Sequence, residues 1–283
     1  MKRFQVAVPI LAWPTPGLGN ADSRRPEPNG LCFRSVSACE MQTQVLYMED
    51  RRGQEPDPCY LREFDANVLE TGPDFVILDR TAFYAEGGGQ PYDTGRLSWS
   101  GQEAKVLRVT KEKGVIRHHV DRLPAVGPVH GTIDWDRRYA HMRYHTSQHI
   151  MSGLVWKIYG ARTVGNQLYT DHARVDFQPA NFTAEDLKRI EDECNRTAAA
   201  AHEVRIFQED RVVVDSKIGD RSLLDLIPAS IRRLRIIQVG SADYCPCGGT
   251  HLKNSSEIGR VHILEKRSKG KETDRVGYEL LPA

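Results

Sequence analysis

Two short motifs that lie far apart in the chain constrain its fold more than any other feature. The first, H-T-S-Q-H, runs from His145 to His149, and the second, C-G-G-T-H, runs from Cys247 to His251. Residues four apart on a helix share one face, so the first motif predicts two imidazoles on one side of a helix. The second motif adds a thiolate and a third imidazole in a glycine-rich turn, and such a mixed ligand set suits zinc. The sequence therefore predicts a Zn²⁺ site that joins both segments; the alternative is a core helix with buried, hydrogen-bonded histidines.

The composition is that of a folded protein. Of the 283 residues, 40% are hydrophobic and 27% are charged, as in ordinary globular domains. The net charge of +1 excludes a strongly basic, non-specific nucleic-acid binder, although a local patch could still bind a polyanion. The six cysteines lack the density of a disulfide-stapled secreted domain, which predicts a cytoplasmic location. No apolar run approaches the roughly 18 residues that span a bilayer, so no membrane partner is implied.

The chain before the first histidine motif divides into two predicted segments. Residues 1–40 are rich in Pro, Gly and Arg without periodicity, which predicts a disordered leader. Residues 41–135 contain short β-rich runs separated by turn residues, which predicts a small β-barrel or sandwich. The predicted strands are 44–48, 62–68, 75–78, 96–99, 104–109, 115–120 and 129–135.

A glycine-rich motif, F-Y-A-E-G-G-G-Q-P, lies between two of these strands and contains Gly87, Gly88 and Gly89. Consecutive glycines let backbone N–H groups approach a phosphate or an RNA strand closely, and they also permit left-handed turns. The motif lacks the spacing of the nucleotide-binding loops. Two interpretations stay open, an RNA contact and a corner of the barrel.

The repeat of apolar residues changes near Trp135 from that of a strand to that of a helix. This change predicts a helix over 136–159 that ends at Gly160 and carries the first histidine motif. His141 lies on the same stripe and is interpreted as an outer-shell or surface residue. A second helix is predicted from a capping motif at Thr183 to residue 201. Further strands are predicted at 164–169, 173–177, 203–207, 234–239, 259–264 and 276–281, and this mixture predicts an α+β domain over 136–283.

One segment near the C-terminal end carries four cations in six residues: Lys266, Arg267, Lys269 and Lys271. A run of this kind is commonly a solvated hairpin, and the acidic Glu272 beside it dilutes the charge. If RNA is the partner, these are the best predicted phosphate contacts in the chain.

The motifs H-T-x-x-H and C-G-G-T-H, with F-Y-A-E-G-G-G-Q-P-x-D-T-G upstream in the same order, resemble those of the stand-alone alanyl-tRNA editing proteins. These proteins are relatives of the editing domain of alanyl-tRNA synthetase. The resemblance covers residues 41–283 and is to the medium-length form. It implies an N-terminal small β-barrel followed by an α+β zinc-bearing editing domain.

The resemblance implies an enzyme, an aminoacyl-tRNA deacylase. Its substrate would be alanine tRNA that carries a wrong amino acid, chiefly serine and also glycine, and ATP is not implied. The zinc ligands carried over by motif are His145, His149, Cys247 and His251.

Two further residues fall where this family lines its amino-acid pocket, Thr146 and Gln167. Thr146 is the candidate to hydrogen-bond the hydroxyl group of the substrate. The chain departs from the pattern at Gln148 and at an additional Cys245, which is a rival metal ligand. Asp176, in an R-x-D-F strand, is interpreted as structural.

Two other classes of protein compete with this one. A zinc metallopeptidase would need H-E-x-x-H, and Thr146 stands where the glutamate should be. A non-catalytic zinc-containing RNA-binding module would explain four protein ligands, because catalytic zinc sites usually keep one position open. The sequence leaves open whether zinc acts in hydrolysis or anchors the substrate, and it does not indicate the oligomeric state.

Overall fold

The computed structural model describes residues 43–49, 57–221 and 227–282. The predicted leader over residues 1–40 lies outside them, and the predicted domain boundaries stay predictions. Within the described residues the fold is α+β with a closed six-stranded barrel in its N-terminal part, as the sequence predicts. None of the helices in those residues has the length and apolarity to cross a membrane.

The described residues of the N-terminal part form eight strands. They are β1 (Gln44–Val45), β2 (Glu63–Thr71), β3 (Phe75–Leu78), β4 (Arg80–Thr81), β5 (Gly95–Trp99), β6 (Gln102–Glu112), β7 (Val115–Val120) and β8 (Gly127–Ile133). Six of them close the barrel in the order β2-β3-β7-β6-β5-β8, while β1 and β4 form a separate parallel pair. The predicted strand 44–48 is wrong in its second half, because Leu46–Met48 forms a 3₁₀ turn.

Alternation of apolar and polar residues explains why these strands close around a core. In β2, Phe64, Ala66 and Val68 are buried and the residues between them are exposed. Side chains on a strand alternate between its two faces, so this pattern places one face of β2 in the barrel interior. The same interior holds apolar side chains from the other barrel strands.

The long helix α1 (Trp135–Tyr159) connects the barrel with the rest of the molecule. The side chain of Asp134 caps its first turn, and Gly160 ends it with a φ of 67°, a left-handed conformation that suits glycine. Residues from Tyr144 to Met151 are all buried. The polar motif H-T-S-Q-H therefore sits in the protein interior, where each polar group needs a partner.

In the C-terminal part, the residues that the structure describes form two sheets and two more α-helices. They are built from β9 (Arg162–Leu168), β10 (Ala173–Gln178), α2 (Ala184–Ala199), β11 (Val204–Asp210), α3 (Arg211–Ile218), β12 (Arg233–Val239), β13 (Asp243–Pro246), β14 (Arg260–Ser268) and β15 (Asp274–Leu281). One sheet has the order β14-β15-β10-β9 and the other β11-β12-β13. The predicted capping box at the start of α2 is present between Thr183 and Asp186.

Besides the two-residue strand β4 and the short 3₁₀ turns, two elements of the described residues are missing from the sequence-based prediction, α3 and β13. Helix α3 contains Val212, Val213 and Val214 in succession, and β-branched residues lose side-chain freedom in a helix. Strand β13 has only four residues. Tertiary packing, rather than local propensity, determines both elements.

A buried ion pair fixes the glycine-rich motif to α1. The side chains of Asp93, in the D-T-G part of the motif, and Arg138 are both fully buried. Arg138 Nε donates to Asp93 Oδ2 at 2.9 Å, and its guanidinium also donates to the carbonyl groups of Cys59 and Ala82. The same carboxylate oxygen accepts from the backbone N–H of Tyr84 at 2.6 Å. These contacts thus fix the position of the motif relative to the helix that carries the histidines.

Candidate metal centre

The four predicted ligands meet at one point. Helix α1 presents His145 and His149, and the turn after β13 presents Cys247 and His251. Their ligand atoms all lie within 4.8 Å of one another, and all but the half-buried Cys247 are buried. The Cys247 Sγ atom lies 3.4 Å from His145 Nε2 and 3.5 Å from His251 Nε2. The group could therefore hold a metal ion.

These distances fit a tetrahedral zinc ion. Zinc bonds of about 2.3 Å to sulfur and about 2.1 Å to nitrogen, at tetrahedral angles, separate the two ligand atoms by about 3.6 Å. The observed sulfur–nitrogen distances lie close to that value. The two sulfur–nitrogen distances are thus those of ligand atoms that can share one ion, and zinc itself stays a prediction.

Each imidazole is held by its other ring nitrogen. Metal-binding histidines commonly use one nitrogen for the ion and bond the second to an oxygen that fixes the ring. The three contacts are His145 Nδ1 to Gln90 Oε1 at 2.8 Å, His149 Nδ1 to Asp243 Oδ2 at 2.7 Å, and His251 Nδ1 to Thr146 Oγ1 at 3.2 Å. Every Nε2 atom is consequently left for the centre of the cluster.

The ionisable groups of the cluster shift one another's pKa. Burial alone would raise the pKa of the Cys247 thiol, but the imidazoles of His145 and His149 lower it well below its usual range. Burial lowers the pKa of His149, whereas the Cys247 sulfur and Asp243 raise it, with a net rise to about 10. Burial and the neighbouring His145 lower the pKa of His251 well below its usual value. The thiolate that a metal ion requires is therefore favoured.

Gln90 connects the glycine-rich motif to both halves of the cluster. This buried side chain accepts from His145 through Oε1, which also accepts from the Thr250 backbone N–H at 3.1 Å. Its Nε2 donates to Thr250 Oγ1 at 2.8 Å. Its position directly after the three glycines was the only sequence signal that could have found it.

Arg235 binds the backbone of the turn that contains Cys247. Its buried guanidinium donates to the carbonyl oxygens of Cys247 at 2.7 Å and Gly249 at 2.9 Å. The backbone of the same residue accepts from the Cys247 N–H at 3.0 Å. Arg235 therefore fixes the turn that carries two of the four ligands, and no sequence motif marks it.

A cavity of about 510 Å³ opens beside the cluster. Its wall includes His145, His149 and Cys247, the loop residues Gly88 and Gly89, and a group of amide and hydroxyl side chains. Within that group, Ser152 Oγ accepts from Thr163 Oγ1 and from Gln148 Nε2, both at 2.7 Å, and Gln148 Oε1 accepts from Asn166 Nδ2 at 3.4 Å. The volume suits a small-molecule site, and these amide and hydroxyl groups can bind a small polar group.

Two family models match parts of the chain. The model of class II (A) tRNA synthetases matches residues 37–137, and that of the threonyl and alanyl tRNA synthetase second additional domain matches residues 234–276. The first match spans the barrel and the second spans the cysteine turn. Together they relate both parts of the molecule to tRNA synthetases.

Whole-chain relatives decide the family. The alanyl-tRNA editing protein AlaX-M of Methanosarcina acetivorans is 39% identical over 251 residues, which cover 84% of this chain and 99% of that protein. AlaX-M of Saccharolobus solfataricus is 34% identical over 250 residues, 85% of this chain and 100% of that protein. The chain belongs to the alanyl-tRNA editing proteins. The alanine–tRNA ligase of Pyrococcus furiosus is 42% identical over 229 residues, which cover 78% of this chain but 24% of that longer protein.

Membership of the editing family confirms the resemblance inferred from the three motifs. The predicted enzyme class, an aminoacyl-tRNA deacylase, is confirmed with it. The zinc ion and the removal of serine or glycine stay predictions.

The loop formed by Gly87, Gly88 and Gly89, called the glycine loop below, forms one wall of the site in this editing protein. Gly88 and Gly89 have φ angles of 57° and 83°, in the left-handed region that favours glycine. The carbonyl of Gly89 accepts from the Leu168 N–H at 2.9 Å, and that of Gly88 accepts from Asn166 Nδ2 at 3.2 Å. The loop thus packs on β9, which a simple barrel corner would not require. Its predicted contact with RNA stays a prediction.

The two predicted pocket residues contact a candidate ligand and a residue of the cavity wall, respectively. Thr146 is fully buried, and its hydroxyl contacts His251 and accepts from the Leu252 N–H at 3.1 Å. The half-buried Gln167 donates from Nε2 to the Gly89 carbonyl at 3.4 Å. Neither residue lines the cavity described above. Their contacts with substrate stay predictions, whereas their contacts with the site are structural facts.

Three further interpretations can be compared with the structure. His141 as a surface residue is wrong, because it is fully buried, and neither ring nitrogen has a hydrogen-bond partner among the described residues. Cys245 lines the cavity but is not in the four-residue ligand group found in the described part of the chain. Asp176 is structural as interpreted, since its carboxylate accepts two bonds from Arg275 at 2.6 and 2.7 Å.

The predicted basic segment lies at the turn between β14 and β15. Lys266 donates to the Phe182 carbonyl at 2.9 Å and lies 3.3 Å from Asp274. Arg267 pairs with Glu265, while Lys269 and Lys271 are exposed. Strand β14 and the cavity-lining β9 are opposite edges of one sheet. The RNA contact of this hairpin therefore remains a prediction that rests mainly on Lys269 and Lys271.

Proposed function

We propose that this protein is a trans-editing hydrolase that cleaves the ester joining a wrong amino acid, serine or glycine, to alanine tRNA. The observation that carries the proposal is the cavity, lined in part by amide and hydroxyl side chains, that opens onto the His₃Cys cluster. A synthetase pocket shaped for alanine rejects a near-isostere with an added hydroxyl only about a hundredfold. A second, hydrolytic site that recognises the hydroxyl would close that gap.

The cavity wall supports selection of serine over alanine. The linked side chains of Gln148, Ser152, Thr163 and Asn166 offer donors and acceptors to a hydroxyl and to an ammonium group. An alanine methyl group in the same place would leave polar groups without partners, at a cost of about 1–3 kcal/mol. The residues of this chain would thus discriminate serine from alanine, and correctly charged alanyl-tRNA would not be hydrolysed.

We propose Zn²⁺ as the ion held by His145, His149, Cys247 and His251. When bound, the ion would supply positive charge beside the ester carbonyl or the amino group of the substrate. Gln90, Asp243 and Thr146 keep the three imidazoles in place, so the residues that surround the ester stay fixed. The backbone of Gly88 and Gly89 forms the facing wall and limits the space open to the amino acid.

Deacylation assays test the substrate proposal. Purified protein is incubated with seryl-, glycyl- and alanyl-tRNA of alanine specificity, and loss of the labelled amino acid is followed. We expect fast release of serine, measurable release of glycine and little release of alanine. Seryl-tRNA that stays intact would contradict the proposal.

Metal analysis tests the ligand proposal. We expect His145→Ala and Cys247→Ala to lose bound zinc and deacylase activity together, because each removes one of four ligands. His172→Ala serves as a matched control, since this exposed histidine contacts Asp171 outside the cluster. Full activity in a variant shown to contain no metal would refute the role of the ion.

One observation favours a second candidate, a non-catalytic zinc-containing RNA-binding module. Four mutually close protein donors can fill a tetrahedral shell, which is typical of structural zinc sites. Such a module would bind alanine tRNA tightly and leave seryl-tRNA intact in the same assay. The release of serine therefore separates the two candidates.

We also propose a cytoplasmic location, where aminoacylated tRNA is used. Gly87, Gly88 and Gly89 and the cations Lys266, Arg267, Lys269 and Lys271 are the tRNA contacts proposed from the sequence. Cell fractionation that places the protein in another compartment would contradict the location.

A further inference from the structure

A second cavity continues the metal-site cavity along the outer side of α1. It has a volume of about 350 Å³ and shares Trp156, Arg221 and Asp243 with the first. Its remaining polar wall includes Lys157, Lys217 and Tyr244. We call the rim that joins both cavities the basic groove, and define it by Trp156, Lys157, Arg162, Lys217, Arg221 and Tyr244.

The basic groove carries an excess of positive charge. Among the described residues that line the two cavities, the cationic side chains are Lys157, Arg162, Lys217 and Arg221, against the single carboxylate of Asp243. That carboxylate is fully buried and already contacts Arg221 and His149. By contrast, the cavity of about 700 Å³ on the other side of the glycine loop contains one lysine, Lys111, and one glutamate, Glu86. Charge therefore distinguishes the two approaches to the cluster.

The cations of the groove are crowded rather than dispersed. Partial burial and the nearby Arg221 guanidinium both lower the pKa of Lys157. The Lys217 ammonium lies 5.0 Å from the centre of the Tyr244 ring and 3.3 Å from Glu209, with half of the side chain exposed. A polyanion placed here would relieve the repulsion between Lys157 and Arg221, which a neutral ligand could not do.

Trp156 stands where the two cavities meet. It is half-buried and lines both of them, so one part of its ring system is open to a ligand. Proteins bind single-stranded RNA by combining cations that follow the backbone with aromatic rings on which bases stack. The groove contains both kinds of group next to the metal cluster.

We propose that the basic groove binds the single-stranded 3′ end of a tRNA and leads its terminal ester into the metal-site cavity. This inference rests on the proposed function, because it assigns the path of that substrate. Lys157 and Lys217 would contact phosphates, and Trp156 would stack on a base close to the ester. Arg221 would also help to position His149, because Arg221 donates to Asp243 and the same carboxylate contacts His149.

The test is a binding assay with uncharged alanine tRNA at several salt concentrations. We expect the double variant Lys157→Ala, Lys217→Ala to bind on the order of tenfold more weakly than wild type, because two phosphate contacts are lost. The slope of log affinity against log salt should fall by about 1.4, since each contact to a single strand contributes about 0.7. The control Lys105→Ala, Lys188→Ala removes the same charge from exposed positions outside the groove and should leave both values unchanged.

A shortened tRNA locates the contact. Wild type and the groove double variant should bind equally to alanine tRNA that lacks its single-stranded 3′ end. Trp156→Leu should weaken binding of the full tRNA about tenfold through loss of stacking, and should not affect the shortened tRNA. Retained zinc content in each variant shows that the site is folded.

Two outcomes would overturn the groove as the binding path. One is an equal loss of affinity in the groove and control double variants, and the other is an equal loss for full and shortened tRNA. Neither result concerns hydrolysis, so wild-type deacylation of seryl-tRNA is measured beside them. Failure of that activity counts against the proposed function, and failure of the binding comparison counts against the groove.

Discussion

At the scale of single residues, the positions of the four candidate ligands depend on side chains outside the ligand set. The three histidines take their outer hydrogen bonds from three different places in the fold, the glycine loop, strand β13 and helix α1 itself. Each bond fixes which nitrogen faces the centre. The position of the ligands is therefore determined by groups spread over the whole described structure.

Thr146 offers a direct test of this dependence. We expect Thr146→Val, which keeps the shape but removes the hydroxyl, to lower zinc affinity about tenfold, because His251 loses its outer partner. Thr146→Ser keeps a hydroxyl and should retain most of the affinity. Competition with a zinc chelator measures both. Unchanged zinc affinity with an altered ratio of seryl- to glycyl-tRNA hydrolysis would instead support the predicted contact with the substrate hydroxyl.

Residue spacing explains why the ligands could be predicted and their partners could not. His145 and His149 are four residues apart, so their common face follows from helix geometry alone. Gln90 lies 55 residues from its partner His145, and Asp243 lies 94 residues from His149. No local pattern specifies a contact over such a distance, because the fold has to bring the two residues together.

At the scale of elements, the barrel contains a buried histidine that makes its stability depend on pH. Burial lowers the pKa of His118 to about 4, while its value in an unfolded chain is about 6.5. Its Nε2 lies 2.9 Å from Thr81 Oγ1 in the barrel interior. Between these pKa values only the unfolded chain binds the proton, so the folded state loses stability as pH falls.

His118→Gln tests this pH dependence. The pKa difference corresponds to about 3 kcal/mol of unfolding free energy, which wild type loses between pH 7 and pH 4 and the variant does not. We therefore expect the unfolding free energy of the variant, relative to that of wild type, to be about 3 kcal/mol higher at pH 4 than at pH 7. This expectation holds whatever the stability of the variant at pH 7. Urea unfolding at both pH values measures the difference. If the two proteins differ in unfolding free energy by the same amount at both pH values, His118 does not contribute to the pH dependence of stability.

The glycine loop allows a second test at this scale, with neighbouring residues as a matched pair. A Cβ atom on Gly89 would lie 2.3 Å from Asn166 Oδ1, whereas one on Gly88 would meet nothing within 4 Å. Both have a positive φ, so each alanine costs about 1 kcal/mol in backbone strain. We expect Gly89→Ala to displace Asn166 and lower seryl-tRNA hydrolysis at least tenfold, and Gly88→Ala to have a small effect. Equal effects would show that only backbone strain matters.

The RNA contact predicted for the glycine loop needs a larger side chain. Gly88 is exposed, so Gly88→Trp should obstruct tRNA without changing the cluster. We expect a greater loss in tRNA binding than in hydrolysis of a minimal seryl ester. Equal losses would favour a folding role for the loop.

The strands were predictable where short β-rich runs are bounded by turn residues. Strands β3 and β7 have the predicted bounds, and α1 begins one residue earlier than predicted. Helix α3 has no such pattern, because its three successive valines suit a strand as well as a helix. Where local preference is ambiguous, contacts with distant elements decide the structure.

At the scale of the whole molecule, three sets of contacts connect the part of the molecule that contains the barrel with the surroundings of the candidate metal site. These are the Asp93–Arg138 ion pair, the bonds of Gln90 to His145 and Thr250, and the bond of the Gly89 carbonyl to Leu168. All three start in the glycine-rich motif. Displacement of this motif would therefore be expected to change the fold and the metal site together.

Asp93→Ala tests this connection. It leaves the fully buried Arg138 without its carboxylate, and breaking a buried pair in this way costs about 3–5 kcal/mol. As a control, Asp192→Ala breaks the exposed Lys188–Asp192 pair, which should cost less than about 1 kcal/mol. Unfolding in urea measures both changes.

The same two variants report on the metal site. Because Asp93 holds the segment that carries Gln90, we expect Asp93→Ala to weaken zinc binding under conditions in which the protein is still folded, whereas Asp192→Ala should bind zinc as wild type does. A destabilised Asp93→Ala protein with unchanged zinc affinity would mean that the cluster is organised by the C-terminal part alone. The barrel would then contribute the cavity wall but not the geometry of the ligands.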